Sequence, residues 1–150
     1  MMDEESGVDA DLSYLELSTL DIPAMKLQHD IYPERLIRLA LVGNSMICLP
    51  SCIAQFINLQ DLDVSCNEIS WICGEIASLF KLKTFVARNN KLHNLPKEFR
   101  SCSSIQVLNL SGNNFSSFPN QILDLFNLKE LYFGSNRITE IPEEVNKIER

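Results

Sequence analysis

Apolar and polar residues follow a pattern that repeats every 23 residues from residue 36 to residue 150. In each copy, apolar residues occupy positions one, four, six, eleven and fourteen, and asparagine occupies position nine. Successive side chains of a strand point to opposite faces, so the apolar positions four and six predict a short strand with one buried face. The five copies span residues 36–58, 59–81, 82–104, 105–127 and 128–150.

The asparagine column predicts a hydrogen-bonded ladder along the stacked copies. An asparagine side chain offers two donors and an acceptor. At the bend after each strand it can satisfy backbone groups that would otherwise be buried without partners. The members of this column are Asn44, Asn67, Asn90, Asn113 and Asn136.

The second half of each copy predicts a short return segment. Position fifteen is proline in four copies, and Cys73 takes this position in the second copy. Proline fixes its own φ and lacks an N–H, which suits the start of a helical turn. With 23 residues per copy, only one or two helical turns or a 3₁₀ segment fit after the strand. A single copy buries too little apolar surface to fold alone, so we expect the copies to stack.

Two stretches carry the consensus most fully: Leu59-Gln-Asp-Leu-Asp-Val-Ser-Cys-Asn67 and Ile105-Gln-Val-Leu-Asn-Leu-Ser-Gly-Asn113. Over residues 36–142 the chain resembles the intracellular leucine-rich repeat proteins with 23-residue repeats. The resemblance implies an α/β fold, a right-handed, curved solenoid with parallel strands on its concave side and short helical turns on its convex side. It also implies a non-catalytic module for protein–protein interaction, with no cofactor.

The resemblance leaves the cellular role of such a module open. One alternative is the substrate-recognition part of a ubiquitin-ligase complex. Another is a scaffold for a small GTPase or a phosphatase in signalling. Affinity capture with mass spectrometry separates the two, because the first predicts cullin and elongin subunits and the second predicts GTPases or a phosphatase.

Two segments precede the first copy. Residues 12–35 are leucine-rich but lack the asparagine and the length of a full copy, so we expect an atypical, partly helical N-terminal cap there. Residues 1–11 are predicted to be a disordered acidic tail. Residues 1–35 hold nine of the 20 acidic and two of the 13 basic residues, which leaves the repeats neutral. Neither part has the basic stripe that nucleic-acid binding requires.

The outward positions of the strands form the candidate binding surface. Positions four and six face the core, so positions three, five, seven and eight face solvent on the concave side. We expect a protein ligand to contact this side, because arginine and aromatic side chains, which dominate binding energy at interfaces, occur there. An alternative is that the arginines only neutralise the neighbouring acids. The candidate contacts are Arg38, Asp61, Asp63, Val86, Arg88, Asn109, Glu130 and Tyr132.

The residues that could support catalysis or bind a metal are scattered along the repeats. The two histidines, His29 and His93, have no assignable nucleophile, so we expect no catalytic pair. The cysteines fall on different faces, so we expect no metal site. Their odd number, and the lack of a charged-then-apolar leader, favour reduced thiols and a cytoplasmic, intracellular location. The cysteines are Cys48, Cys52, Cys66, Cys73 and Cys102.

The fifth copy ends at residue 150 without a polar cap. Val145 and Ile148 would then have an uncovered apolar side. We therefore expect a fragment that lacks C-terminal repeats and a cap, and a monomer unless this end associates. No apolar run approaches the roughly 18 residues that span a bilayer.

Overall fold

The computed structural model describes residues 7–147, in which short parallel strands alternate with helical segments and turns. Six of the eight strands form one parallel sheet in the order β1–β2–β4–β6–β7–β8, and β3 and β5 form a second, two-stranded parallel sheet. The strands are β1 Val8–Asp11, β2 Leu36–Ala40, β3 Cys48–Leu49, β4 Asp61–Asp63, β5 Trp71–Ile72, β6 Thr84–Val86, β7 Val107–Asn109 and β8 Glu130–Tyr132.

Neighbouring strands of the larger sheet pair in the register of the repeat. Asp61 pairs with Thr84, which in turn pairs with Val107, so equivalent positions of successive copies stand side by side. Each return segment is a five-residue 3₁₀ helix that stacks on its neighbours. The predicted leucine-rich repeat solenoid and its short helical return segments are thereby confirmed. These 3₁₀ helices are Ser51–Gln55, Gly74–Ser78, Lys97–Ser101, Asn120–Asp124 and Glu143–Lys147, and a shorter one, Pro33–Arg35, precedes β2.

The N-terminal segment contains a further strand, which the 23-residue pattern does not predict. β1 pairs in parallel with β2 and places Asp9 beside Arg38, 29 residues later. Alternation in this strand is the physical reason, because it turns Ala10 and the buried Leu12 towards the core. The predicted disordered tail over residues 1–11 is therefore wrong for Val8–Asp11, and residues 1–6 lie outside the described residues.

Residues 7–35 form a further repeat of 29 residues before the five copies, and we call it the first repeat. Its greater length accommodates a helix, α1, at Ile22–His29. The Asp21 carboxylate caps it by accepting a hydrogen bond from the Ala24 amide at 3.0 Å. Pro23 lies in the first turn, where the missing N–H costs nothing. The helix ends at Asp30, which has a left-handed φ of 52°. This helix lies within residues 12–35, where the sequence predicts a partly helical cap.

The core lies between the larger sheet and the 3₁₀ helices. Strand residues such as Leu39 and Leu62 meet return-segment residues such as Ile53 and Ile76, and all four are buried. The side of the fifth copy that faces away from the other repeats is more open, because Ile141 occupies an interior position and is nevertheless 65% exposed.

The asparagine at position nine bonds each copy to the one before it. The Asn67 Oδ1 accepts a hydrogen bond from the Met46 amide at 3.0 Å, and its Nδ2 donates to the carbonyls of Leu41 at 2.9 Å and Val64 at 3.0 Å. Asn90, Asn113 and Asn136 make equivalent bonds. In the first repeat, the Leu15 and Leu17 amides donate to the Asn44 Oδ1, and the Asn44 Nδ2 donates to the Leu12 carbonyl. Leu15 itself takes the equivalent position in the first repeat, which has no described repeat before it to bond to.

A left-handed residue precedes each of these positions. The φ at position eight lies between 55° and 68° in all six repeats, and two of the six residues are glycine. At Gly112 an added Cβ would also lie 2.3 Å from the Asn89 Oδ1, so glycine relieves both the backbone strain and the contact. The bend thus turns the chain from the strand towards the return segment. The residues are Tyr14, Gly43, Cys66, Asn89, Gly112 and Ser135.

The ladder predicts a large stability difference between two adjacent asparagines. Asn113→Ala removes hydrogen bonds to the Leu92 amide and to the carbonyls of Ala87 and Leu110. Each buried group left without a partner costs about 1–3 kcal/mol, so we expect the free energy of unfolding in urea to fall by about 3 kcal/mol or more. Asn114→Ala is the control, because its side chain bonds to no described residue, and we expect a change within about 0.5 kcal/mol. Equal losses for the two variants would contradict a structural ladder.

Candidate functional site

The predicted contact residues lie on the outer face of the six-stranded sheet. Seven of the eight are strand residues of β2, β4, β6, β7 and β8, and Arg88 follows β6 by two residues. We call this face, which carries positions three, five and seven of every repeat, the concave face. The peptide groups beneath it pair with neighbouring strands, so ligand contacts on this face would come from side chains.

A groove of about 590 Å³ runs over the first four strands of the concave face. Four carboxylates and one arginine line it, together with small or apolar side chains from β2 and β6. Its charge is therefore negative. The side chains that point into it are those of Asp9, Asp11, Arg38, Ala40, Asp61, Asp63, Thr84 and Val86.

Arg38 bridges two of these carboxylates across three adjacent strands. Its Nε lies 3.0 Å from the Asp61 Oδ2, and its Nη1 lies 3.2 Å from the Asp9 Oδ2. Hydrogen bonds to Asp61 and then Asp9 raise the pKa of Arg38 above its ordinary value. All three side chains are solvent-accessible, so these ion pairs orient the guanidinium more than they stabilise the fold. The alternative that arginine neutralises the acids therefore applies to Asp61.

The carboxylate and amide side chains at position five also form hydrogen bonds to the backbone that stabilise the strand ends. The Oδ1 atoms of Asp11, Asp63 and Asn109 each accept a hydrogen bond from the amide two residues later, at 2.9–3.0 Å. Such bonds are typical of Asx turns and hold the strand end in place. Hydrogen bonds from Ser13 lower the pKa of Asp11 below its ordinary value. In Asp63 the second carboxylate oxygen has no described partner and faces the groove.

The remaining predicted contacts lie away from this groove or at its border. Arg88 is exposed, and its side chain forms no ion pair with Asp63 or with any other described residue. The Tyr132 hydroxyl donates to the Glu130 Oε2 at 2.7 Å, and this bond raises the pKa of Tyr132. These two β8 residues stand three strands from β4, about 14 Å at 4.8 Å per strand. The structure therefore does not bring Tyr132 together with Asp61 and Asp63.

Two groove residues, Asp9 and Asp11, were not predicted from the sequence. They fell within the segment that was expected to be a disordered tail. A signal for them exists in the alternation of Val8-Asp9-Ala10-Asp11-Leu12, which matches Gln60-Asp61-Leu62-Asp63-Val64. The two stretches form strands two places apart in the same sheet, and the comparison would have identified β1.

The five cysteines are all unpaired and differ in exposure. Burial raises the pKa of Cys73 to about 11 and that of Cys102 to about 12. Cys66, at position eight of the second copy and three residues after the groove residue Asp63, is exposed. In residues 7–147, no three histidine, cysteine or acidic side chains are grouped as metal ligands would be. No helix among these residues has the length and apolar character to cross a membrane.

Comparison with known proteins identifies the repeats. Two family models described as leucine-rich repeat match residues 57–115 and 127–148. Leucine-rich repeat-containing protein 58 of Xenopus laevis is 43% identical over 63 residues, which are 41% of this chain and 18% of that protein. The chain thus aligns with less than a fifth of the length of this curated relative.

Solved structures of similar shape are also leucine-rich repeat proteins. One, from Leptospira interrogans, has a TM-score of 0.79 at 31% identity and covers 89% of this chain and 32% of its own. An internalin of Listeria monocytogenes has a TM-score of 0.71 at 24% identity and covers 87% of this chain and 36% of its own. The second likeness shows the fold alone.

Thiol exposure predicts the order in which the cysteines react. A thiolate is the reactive form, and burial keeps Cys73 and Cys102 protonated at pH 8. We expect iodoacetamide to label Cys66 first in the folded protein, and Cys73 and Cys102 only after unfolding. Peptide mass spectrometry over a time course measures this. Labelling of Cys102 as fast as that of Cys66, without unfolding, would contradict the described burial.

Proposed function

We propose that this chain, which belongs to the leucine-rich repeat proteins, is a non-catalytic module that binds a protein ligand on its concave face. Leucine-rich repeat folds generally mediate protein–protein interaction. The five unpaired cysteines support a role in a reducing, intracellular compartment. The chain corresponds to a small part of its curated relative, so the proposal concerns this array of repeats.

The acidic groove is the observation that carries the proposal. Four carboxylates converge on it against one guanidinium, and an oxygen of Asp63 is open to a ligand. Complementary charge selects partners and speeds their encounter. The ligand therefore presents a lysine or arginine side chain to the groove over β1, β2 and β4.

Arg88 and Tyr132 extend the proposed interface along the sheet. Arg88, with no described side-chain partner, is available to a carboxylate of the ligand. Tyr132 is 49% exposed and offers an aromatic surface at the other end of the face. A ligand that contacts both the groove and Tyr132 spans four strand intervals from β2 to β8, about 19 Å.

Charge reversal on the concave face tests this proposal. We expect Asp63→Lys and Arg88→Glu to reduce capture of a binding protein about ten-fold or more, because an interfacial charge is replaced by a like charge. Glu75→Lys and Lys97→Glu are matched reversals on the 3₁₀ helices and should leave capture unchanged. Quantitative mass spectrometry of proteins captured by each variant gives the measurement.

A second measurement on the captured complex uses the alkylation rate of Cys66 as a reporter of ligand binding. A ligand on the concave face should slow its alkylation, since the exposed thiol follows the groove residue Asp63 by three residues. Capture that is insensitive to both concave-face reversals, with Cys66 unprotected, would reject the concave face as the binding surface.

A further inference from the structure

A second surface lies where each return segment meets the next strand. Position 22 of the repeat holds large apolar side chains in three of the first four copies, and all three are exposed: Ile57 by 54%, Phe80 by 76% and Phe126 by 86%. Ser103 takes this position in the third copy and is also exposed. We call this row the apolar edge. Exposed apolar side chains that recur at one position of a repeat form a row, and exposed apolar patches mark interaction sites in folded proteins.

The backbone beneath the apolar edge is held in place by side chains at position 23. The Ser104 hydroxyl donates to the Phe80 carbonyl at 2.5 Å, and the Asn127 Nδ2 donates to the Ser103 carbonyl at 2.7 Å. The phenylalanine side chains therefore project from a fixed frame that repeats at the strand spacing of about 4.8 Å. Phe80 and Phe126, two repeats apart, are about 10 Å apart along the solenoid.

Lysine residues border the apolar edge and have no acidic partner among the described residues. The Lys81 Nζ donates to the Asn58 Oδ1 at 2.6 Å, and the Lys83 Nζ donates to the Gln60 Oε1 at 3.0 Å. Lys129 is exposed and its side chain bonds to no described residue.

No carboxylate occupies positions 22, 23 or two of the repeat between residues 57 and 129. Glu130 adjoins Lys129 in sequence but occupies position three, on the concave face, where its carboxylate accepts a hydrogen bond from the Tyr132 hydroxyl. In a chain of net charge −7, this edge is positive.

We propose that the apolar edge binds an acidic amphipathic helix of a partner protein. A helix rises 1.5 Å per residue, so side chains seven residues apart stand about 10.5 Å apart and those three or four apart about 5 Å apart. These intervals match two repeats and one repeat of the solenoid. An extended segment presents same-face side chains about 6.6 Å apart and does not match either interval.

Charge decides between a helix and a membrane surface as the occupant. Recognition of anionic lipid is typical of clusters of about four to eight lysine and arginine residues, and the apolar edge has three lysines. Acidic side chains along the flank of an apolar helical stripe that faces positions 23 and two would instead pair with Lys81, Lys83 and Lys129, while the stripe covers Phe80 and Phe126. This surface is distinct from the concave face, so each can be tested without the other.

Residues that occur at the same position in other copies are the substitutions most compatible with the fold. The double substitution of Phe80→Ser and Phe126→Ser places serine at position 22, where the third copy already has Ser103. Lys83→Gln and Lys129→Gln together install the residue found at Gln60 and Gln106. Leu27→Ser is the control, because Leu27 is 87% exposed on α1, away from the apolar edge. Urea unfolding of each variant verifies the fold.

The probe is a fluorescent peptide of about 18 residues, with leucine at helical i, i+3, i+4 and i+7 spacing and glutamate along one flank of that apolar stripe. We expect saturable anisotropy binding, weakened about ten-fold or more by the phenylalanine pair. The lysine pair or 0.5 M salt should also weaken it, and Leu27→Ser should not. Amide NMR shifts on binding should be confined to residues 57–60, 80–83, 103–106 and 126–129.

Three results would overturn the proposal. The first is equal binding of a scrambled peptide of the same composition, which would show that the apolar stripe is not recognised. The second is binding that both pairs of substitutions leave unchanged. The third is absence of peptide binding, including the case in which vesicles of phosphatidylserine and phosphatidylcholine bind through the same residues, which would make the occupant a membrane.

Discussion

The hydrogen bond between each asparagine and the preceding copy is the constraint on which the rest of the structure depends. A short strand ends at a left-handed residue, and the peptide groups at that bend face the interior, away from water. The Asn90 side chain bonds there to the Ile69 amide and the Val64 carbonyl of the preceding copy. Each such side chain thus satisfies backbone groups at a bend and fixes its own copy relative to the preceding one. The local structure of the bend and the stacking of the copies therefore require the same residue.

A fixed register separates positions that can vary from positions that cannot. Core and ladder positions are determined by packing and hydrogen bonding, whereas outward positions carry no such requirement. The concave face carries acids at Asp9, Asp11, Asp61 and Asp63, and the apolar edge carries lysines. The two surfaces share one frame and have opposite charge. One array of repeats can therefore present two surfaces that favour partners of different chemistry.

The sequence predicts the fold well because its dominant signal is periodic. Residues such as Leu62 and Leu92 are interior in the structure, as their positions in the repeat indicate. β1 was missed because its repeat is 29 residues long and has Leu15 in place of asparagine, so it falls outside the period. The pairing of β3 with β5 was also missed, since two-residue strands leave no alternation to detect.

The candidate site is less predictable because side-chain partners depend on geometry between copies. The period places Arg38 and Asp61 on the same face, but it does not show that Arg38 bridges Asp61 and Asp9. It likewise does not show that Asp63 uses one oxygen for its own turn. The apolar edge escaped notice for a different reason. Position 22 lies between the return segment and the next strand, where sequence patterns predict only a loop.

Amide hydrogen exchange tests the central claim that the asparagine ladder fixes the register. The amides of Met46, Ile69 and Leu92 donate to asparagine side chains, so they should exchange only as the whole array unfolds. The Ile138 amide stands at the equivalent position of the last copy and donates to no described residue, so it should exchange faster. Exchange of all four amides at one fast rate, while the strand amides stay protected, would contradict the claim.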